Sequence, residues 1–106
     1  MAFVIEFVGE AETDLDAIRA FHRPRILDAI ERHLKHKPTQ VSRARIKRLH
    51  STDSPAYRLR IGEFRVFYDV DIEGAMVTIL RILSKEQSLS YLRLITDEES
   101  GTGETE

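Results

Sequence analysis

The stretch YRLRIGEFRVFYDVD, residues 57–71, constrains the fold of this chain more than any other. Two runs of alternating apolar and polar residues flank Gly62-Glu63, and a two-residue Gly-X loop is the chemistry of a type II′ hairpin turn. That turn sets the register: Ile61 faces Phe64, Arg60 faces Arg65, Leu59 faces Val66, Arg58 faces Phe67 and Tyr57 faces Tyr68. Successive side chains of a strand point to opposite faces. Tyr57, Leu59, Ile61, Phe64, Val66, Tyr68 and Val70 therefore make one apolar face, while Arg58, Arg60, Arg65 and Phe67 make the other. Like charges directly opposite each other destabilise a hairpin. An anion between Arg60 and Arg65 removes that repulsion.

Around the hairpin, residues 2–8 (AFVIEFV) predict a short strand. From Thr13, TDLDAIRAF carries Leu15, Ile18 and Phe21 at helical spacing, with acidic residues at the positive end of the helix dipole. Pro24 breaks the pattern and suits the first turn of a second helix. In RPRILDAIERHL the apolar stripe is Ile26, Leu27, Ile30 and Leu34, and the helix is expected to end by Lys37, before Pro38. KPTQVSRARIKRLH is a basic connector closing in a short strand near 46–49, and STDSP is a turn. Strands are expected at 56–61 and 64–71, followed by MVTILRIL at 76–83, apolar on both faces as an inner strand is. Ser84 and Gln87 form an amide version of the capping box that opens a helix over 85–95.

The expected fold class is α+β: an antiparallel sheet with an N-terminal helical hairpin packed on one face and a short C-terminal helix. Residues 1–96 form a single domain, and 97–106 (DEESGTGETE) an acidic disordered tail. The arginine face of the sheet is expected to lie bare of helices.

A chain of 106 residues buries one modest core, too small for a deep cofactor cavity. With no cysteine it has no disulfide, thiol nucleophile or thiolate metal site. No apolar run reaches membrane-spanning length and no basic leader opens the sequence, so a cytoplasmic protein without membrane association is expected. Residues 43–65 hold seven Arg or Lys against Asp53 and Glu63, inside a chain of net charge −2. That asymmetry points to a polyanionic partner. Arg43, Arg45, Lys47 and Arg48 of the connector join Arg58 and Arg60 as candidate phosphate contacts, and Phe67 is a candidate for base stacking.

His22, His33 and His36 belong to the helical hairpin or its border, away from the arginines. His33 and His36 stand one turn apart, but Lys35 and Lys37 disfavour a cation between them, so neither metal nor cofactor is expected. His50, beside the connector, is the outlying acid–base candidate. Arg81 interrupts an apolar strand and is expected to pair with Asp69 or Asp71, in a register that the DIEGA turn leaves open.

The order of strand, helical hairpin, basic connector, YRLRIGEFRVFYDVD and VTILRILSKEQSLSYL closely resembles the RelE/ParE superfamily of type II toxin–antitoxin toxins, over residues 2–95. The resemblance implies the RelE-like, microbial-RNase-like fold. It also implies an endoribonuclease that enters the ribosomal A site and cuts mRNA without a metal, the 2′-OH attacking the adjacent phosphate. On the family pattern Arg65 matches the transition-state cation, Arg58 and Arg60 the phosphate holders, and Lys85 a proton donor or second cation. Tyr91 matches the C-terminal tyrosine, which stacks on a base or accepts a proton. A tyrosine titrates at about 10, so the base role needs nearby cations to lower that value. RelE nucleases usually carry arginine where this chain has Lys85, and a lysine offers no bidentate fork. ParE-type members share the fold and poison DNA gyrase, and a catalytically weak antitoxin-binding homologue is a third reading. All three imply a cognate antitoxin in a toxin–antitoxin hetero-oligomer; the RelE reading adds the ribosome and mRNA.

Overall fold

A computed structural model describes residues 1–103, with side chains described as far as Thr96. In chain order the elements are β1 (Val4–Phe7), α1 (Gly9–Ala17), a 3-10 turn (Ala20–His22), α2 (Arg23–Leu34), β2 (Ile46–Arg48), β3 (Tyr57–Ile61), β4 (Phe64–Asp71), β5 (Met76–Ser84) and α3 (Lys85–Gly103).

The β3–β4 hairpin has the predicted register at all five pairs, from Tyr57 opposite Tyr68 to Ile61 opposite Phe64. Gly62 takes a φ of 56°, as the first loop position of a type II′ turn requires. The strands form one sheet in the order β1-β5-β4-β3-β2. The expected antiparallel sheet is corrected at one edge, where β1 runs parallel to β5. Chain direction reverses at each connection from β2 to β5, and the third reversal leaves β5 running with β1.

The apolar face of the hairpin lies in the main core. Leu59, Ile61, Val66 and Tyr68 meet Val77, Ile79 and Ile82 of β5, and Ile26, Ile30 and Leu34 of α2 close the layer. The stripe on α2 is therefore as predicted, and Pro24 stands in its first turn. The first helix differs. It begins at Gly9, directly after β1, and Ile18 is already its extended C-cap, while Phe21 is 70% exposed. Ala11, fully buried, rather than Phe21 marks the face that packs inward.

Tyr68 is completely buried and its hydroxyl donates to the Pro38 carbonyl oxygen at 2.7 Å. Burial, with Tyr57 adding a smaller effect, pushes the phenol well above its ordinary value. Tyr68→Phe leaves that carbonyl unpaired in the interior and is expected to cost about 1–3 kcal/mol. Urea unfolding of the two proteins measures it, and an unchanged midpoint would show that the bond contributes nothing.

α3 opens with the predicted reciprocal cap: the Gln87 backbone N–H donates to Ser84 Oγ at 3.1 Å, and the Ser84 N–H to Gln87 Oε1 at 3.0 Å. The helix continues to Gly103, past the expected end at 95. The acidic tail expected over 97–106 falls on side chains, and from 104 on backbone, outside the described residues. α3 also overturns the expectation of a bare arginine face. Tyr91 and Leu92 pack on Phe67, Leu83 and Leu49 in a second, smaller core. Phe67 and Leu83 put two apolar side chains on that face, and burying them is worth roughly 1.5–3 kcal/mol each. An amphipathic helix supplies the cover. Among the described residues no helix is long and apolar enough to cross a membrane.

Candidate functional site

Strand alternation gathers four cations on the face that α3 covers only in part. Lys47 stands opposite Arg58, and Arg60 stands opposite Arg65. Arg65 is only 8% exposed, and its Nη1 donates to the carbonyl oxygens of Gly62 (2.9 Å) and Phe64 (3.0 Å). The guanidinium is thus folded back onto its own turn and held there without a carboxylate. Arg58 is half-buried, and its Nε is buried with no hydrogen-bond partner. Among the described residues the ion pairs are Arg32–Asp28, Lys35–Glu31 and Arg81–Asp14, none of them on these four side chains.

The electrostatics follow from that arrangement. Burial first, then the charges of Arg65 and Arg60, pulls Arg58 below its ordinary value. Burial and Arg60 do the same to Arg65, with Glu63 opposing them. Guanidinium groups stay charged regardless, so the strain appears as a standing demand for negative charge. An unpartnered buried donor costs about 1–3 kcal/mol.

Lys85 is exposed at the start of α3, and its backbone N–H donates to the Glu63 carbonyl oxygen at 2.7 Å. That bond ties the helix start to the turn carrying Arg65, whose cross-strand partner on β5 is Leu83. Lys85 and Arg65 therefore belong to one corner of the sheet. Tyr91 packs edge-on against Phe67, ring centroids 4.9 Å apart, with the Arg81 guanidinium 5.5 Å from its own ring centre. Burial raises the Tyr91 phenol above its ordinary value and outweighs the lowering effect of Arg81; Glu10, Asp69 and Asp14 raise it further. The lowering that a base role requires does not occur. Tyr91 is a protonated phenol, able to donate.

Phe67 is fully buried. Its ring is the floor of the α3 contact and presents no face to a nucleobase, which corrects the expectation of an exposed stacking platform.

The connector divides between the two sides of the sheet. Lys47 joins the arginine face, but Arg48 stands opposite Tyr57, with its guanidinium 5.2 Å from that ring centre and Nη1 donating to the Leu49 and Ala56 carbonyls. Arg48 thus serves the strand edge rather than the arginine face. Arg45 Nη1 donates to the Arg60 carbonyl oxygen at 3.2 Å. Arg43 and His50 are exposed on the segments flanking β2.

Arg81 pairs with neither expected partner. Its Nε and Nη2 donate to Asp14 on α1 at 2.8 and 3.1 Å, and Asp14 also accepts the Ile82 N–H at 2.9 Å. A register irregularity between Phe67 and Tyr68 places Arg81 opposite Phe67. Asp69 is meanwhile held by Ser54 Oγ and the Ala56 N–H, and Asp71 by the Gly74 N–H. Asp14 is the residue that sequence reasoning missed: 67 positions separate it from Arg81, and no local pattern marks it. Among the described residues no group of three His, Asp or Glu side chains is placed to hold a metal ion.

The chain matches, over residues 5–89, the sequence model of a family described as the ParE toxin of the type II toxin–antitoxin system parDE. No curated protein sequence matches it significantly. Three solved structures share the fold. The toxin–antitoxin complex RelBE2 from Mycobacterium tuberculosis contains a chain with 23% identity and a TM-score of 0.69, over 79% of this chain and 92% of that one. The archaeal RelE–RelB complex from Pyrococcus horikoshii gives 22% and 0.65, over 80% and 97%. The isolated RelE toxin of E. coli gives 15% and 0.60, over 88% and 99%. With the hairpin, the helical pair and the capping box all in place, the chain belongs to the ParE toxin family of type II toxin–antitoxin systems, within the RelE/ParE superfamily.

Proposed function

We propose that this toxin arrests translation in the cytoplasm by cutting mRNA on the ribosome, with the arginine face receiving the RNA phosphates. The observation that carries the reading is the set Arg58, Arg60 and Arg65, close together, free of carboxylate partners among the described residues, and including one buried unpartnered Nε. In the reaction the 2′-oxygen attacks the adjacent phosphorus and the bond from phosphorus to the 5′-oxygen breaks. A 2′,3′-cyclic phosphate remains on one fragment and a 5′-hydroxyl on the other. Negative charge grows on the phosphorane oxygens, where a fixed cation acts most strongly. Arg65, pinned to its turn, is that cation; Arg58 and Arg60 hold neighbouring phosphates. Lys85 protonates the departing 5′-oxygen, and Tyr91 donates a hydrogen bond while the 2′-OH proton leaves to solvent.

The solved relatives from M. tuberculosis and P. horikoshii were crystallised as toxin–antitoxin complexes. By the same reading this chain forms a hetero-oligomer with a cognate antitoxin, an acidic segment of which orders over the cationic face. A second reading, poisoning of DNA gyrase, is favoured by the match over residues 5–89 to the family described as the ParE toxin of parDE.

Induced expression with mapping of mRNA 5′ ends separates the two. New ends within translated frames are the expected result. Growth arrest with intact transcripts and gyrase trapped on DNA would replace the first reading with the second.

A further inference from the structure

On the opposite side of the sheet, between α2 and the chain leading into β2, two clefts of about 210 and about 270 Å³ share Arg32, His33 and Arg45 as walls. Arg25 completes the smaller one, and His36 and Lys37 the larger. Asp28 is the carboxylate lining this trough, and Arg32 already holds it at 2.6 Å. Arg25 and Arg45 have no carboxylate partner among the described residues.

We propose that this trough is a second phosphodiester-binding site, taking the backbone of a nucleic-acid strand on the side of the sheet away from Arg58, Arg60 and Arg65. Two contacts make the cations continuous from one side to the other. Arg45 Nη1 reaches the carbonyl of Arg60 across the β2–β3 edge. At the hairpin tip Arg25 Nη2 lies against Gly62, 2.5 Å from where a β-carbon would stand, while Arg65 binds the Gly62 carbonyl from the other side. A strand turning round this tip would meet guanidinium groups along its whole path. A protein segment is the poorer fit, because peptide interfaces draw their affinity from apolar and aromatic anchors. The apolar lining here is Ala29, Ile46 and Ile61, and both isoleucines are already buried. The proposal depends on the nucleic-acid reading above only for the identity of the polyanion.

His33 reports on the site. Burial, then Arg45 and Arg32, holds its imidazole below the ordinary value, with Asp28 opposing them. The other titratable groups lining the trough are Arg25, His36 and Lys37. A phosphodiester stays singly charged across the imidazole range, so its arrival raises the His33 midpoint without titrating itself.

The test follows the His33 ring by NMR in the full chain, with and without a single-stranded RNA dodecamer, beside binding measured against salt. The midpoint of His33 is expected to rise with RNA. The double variant Arg25→Gln/Arg45→Gln, altering two exposed side chains, should abolish that rise and reduce the salt slope of binding by about 1–2. Arg65→Ala should keep the His33 rise. A midpoint unmoved by saturating RNA, or a double variant with the wild-type slope, overturns the proposal. A poly-glutamate that raises His33 as far as RNA does overturns the nucleic-acid assignment in favour of an acidic protein segment. An unaltered chain that cuts no mRNA yet gives the His33 response would sink the cleavage reading alone, and one that cuts mRNA without a His33 response would sink only the trough.

Discussion

Under the proposed mRNA-cleaving function, Arg65→Ala is expected to reduce cleavage on the ribosome about 10²–10³-fold, the usual cost of removing one preorganised donor from a developing oxyanion. The size of the effect rests on immobility. Arg65 is nearly buried and clamped by two carbonyls of its own turn, so its charge needs no reorganisation when the phosphorane forms. Losing those two bonds removes about 0.5–1.5 kcal/mol each from the folded state, which leaves the variant folded at ordinary temperatures. Arg65→Lys restores a charge but not the planar fork, and is expected to recover only a small part of the rate. Single-turnover cleavage on programmed ribosomes, with thermal melts of each variant, measures both quantities. Full activity in a folded Arg65→Ala protein would remove this residue from the chemistry.

Phe67→Ala is expected to cost about 3–5 kcal/mol of stability. The ring has no exposure and lies between Leu49, Leu83, Tyr91 and Leu92. Its loss opens a cavity between the sheet and α3. A small domain is stable by only about 5–15 kcal/mol in total, so this variant approaches the threshold of unfolding. Phe67→Leu refills much of the space and should cost less. Urea unfolding followed by far-UV circular dichroism reads the difference. A loss below about 1 kcal/mol for Phe67→Ala would mean that α3 is not docked through this residue.

The parts of the molecule legible in the sequence are those set by neighbours along the chain. The Gly62 turn dictates five cross-strand pairs, and Ser84 and Gln87 cap a helix within one turn of each other. The α2 stripe needs only its own periodicity. What stayed hidden depends on long-range packing. The irregularity at Phe67/Tyr68 shifts the β4–β5 register, and no residue type in either strand announces it. The Asp14–Arg81 pair joins α1 to β5 across most of the chain. The separation of Lys47 from Arg48 turned on where a three-residue strand begins to pair. The family pattern marks Tyr91, but the burial that raises its phenol comes from packing that no local pattern shows.

Gly62 shapes how mutation can act on this molecule. Its φ of 56° disfavours any side chain, and the Arg25 guanidinium occupies the room such a side chain would need. Its carbonyl, meanwhile, restrains Arg65. The residue with the least chemistry is therefore the axle on which the two arginine-bearing surfaces turn together. A larger residue there takes on the strain of the positive φ and displaces the flexible end of Arg25, so its effect reaches both surfaces from one position.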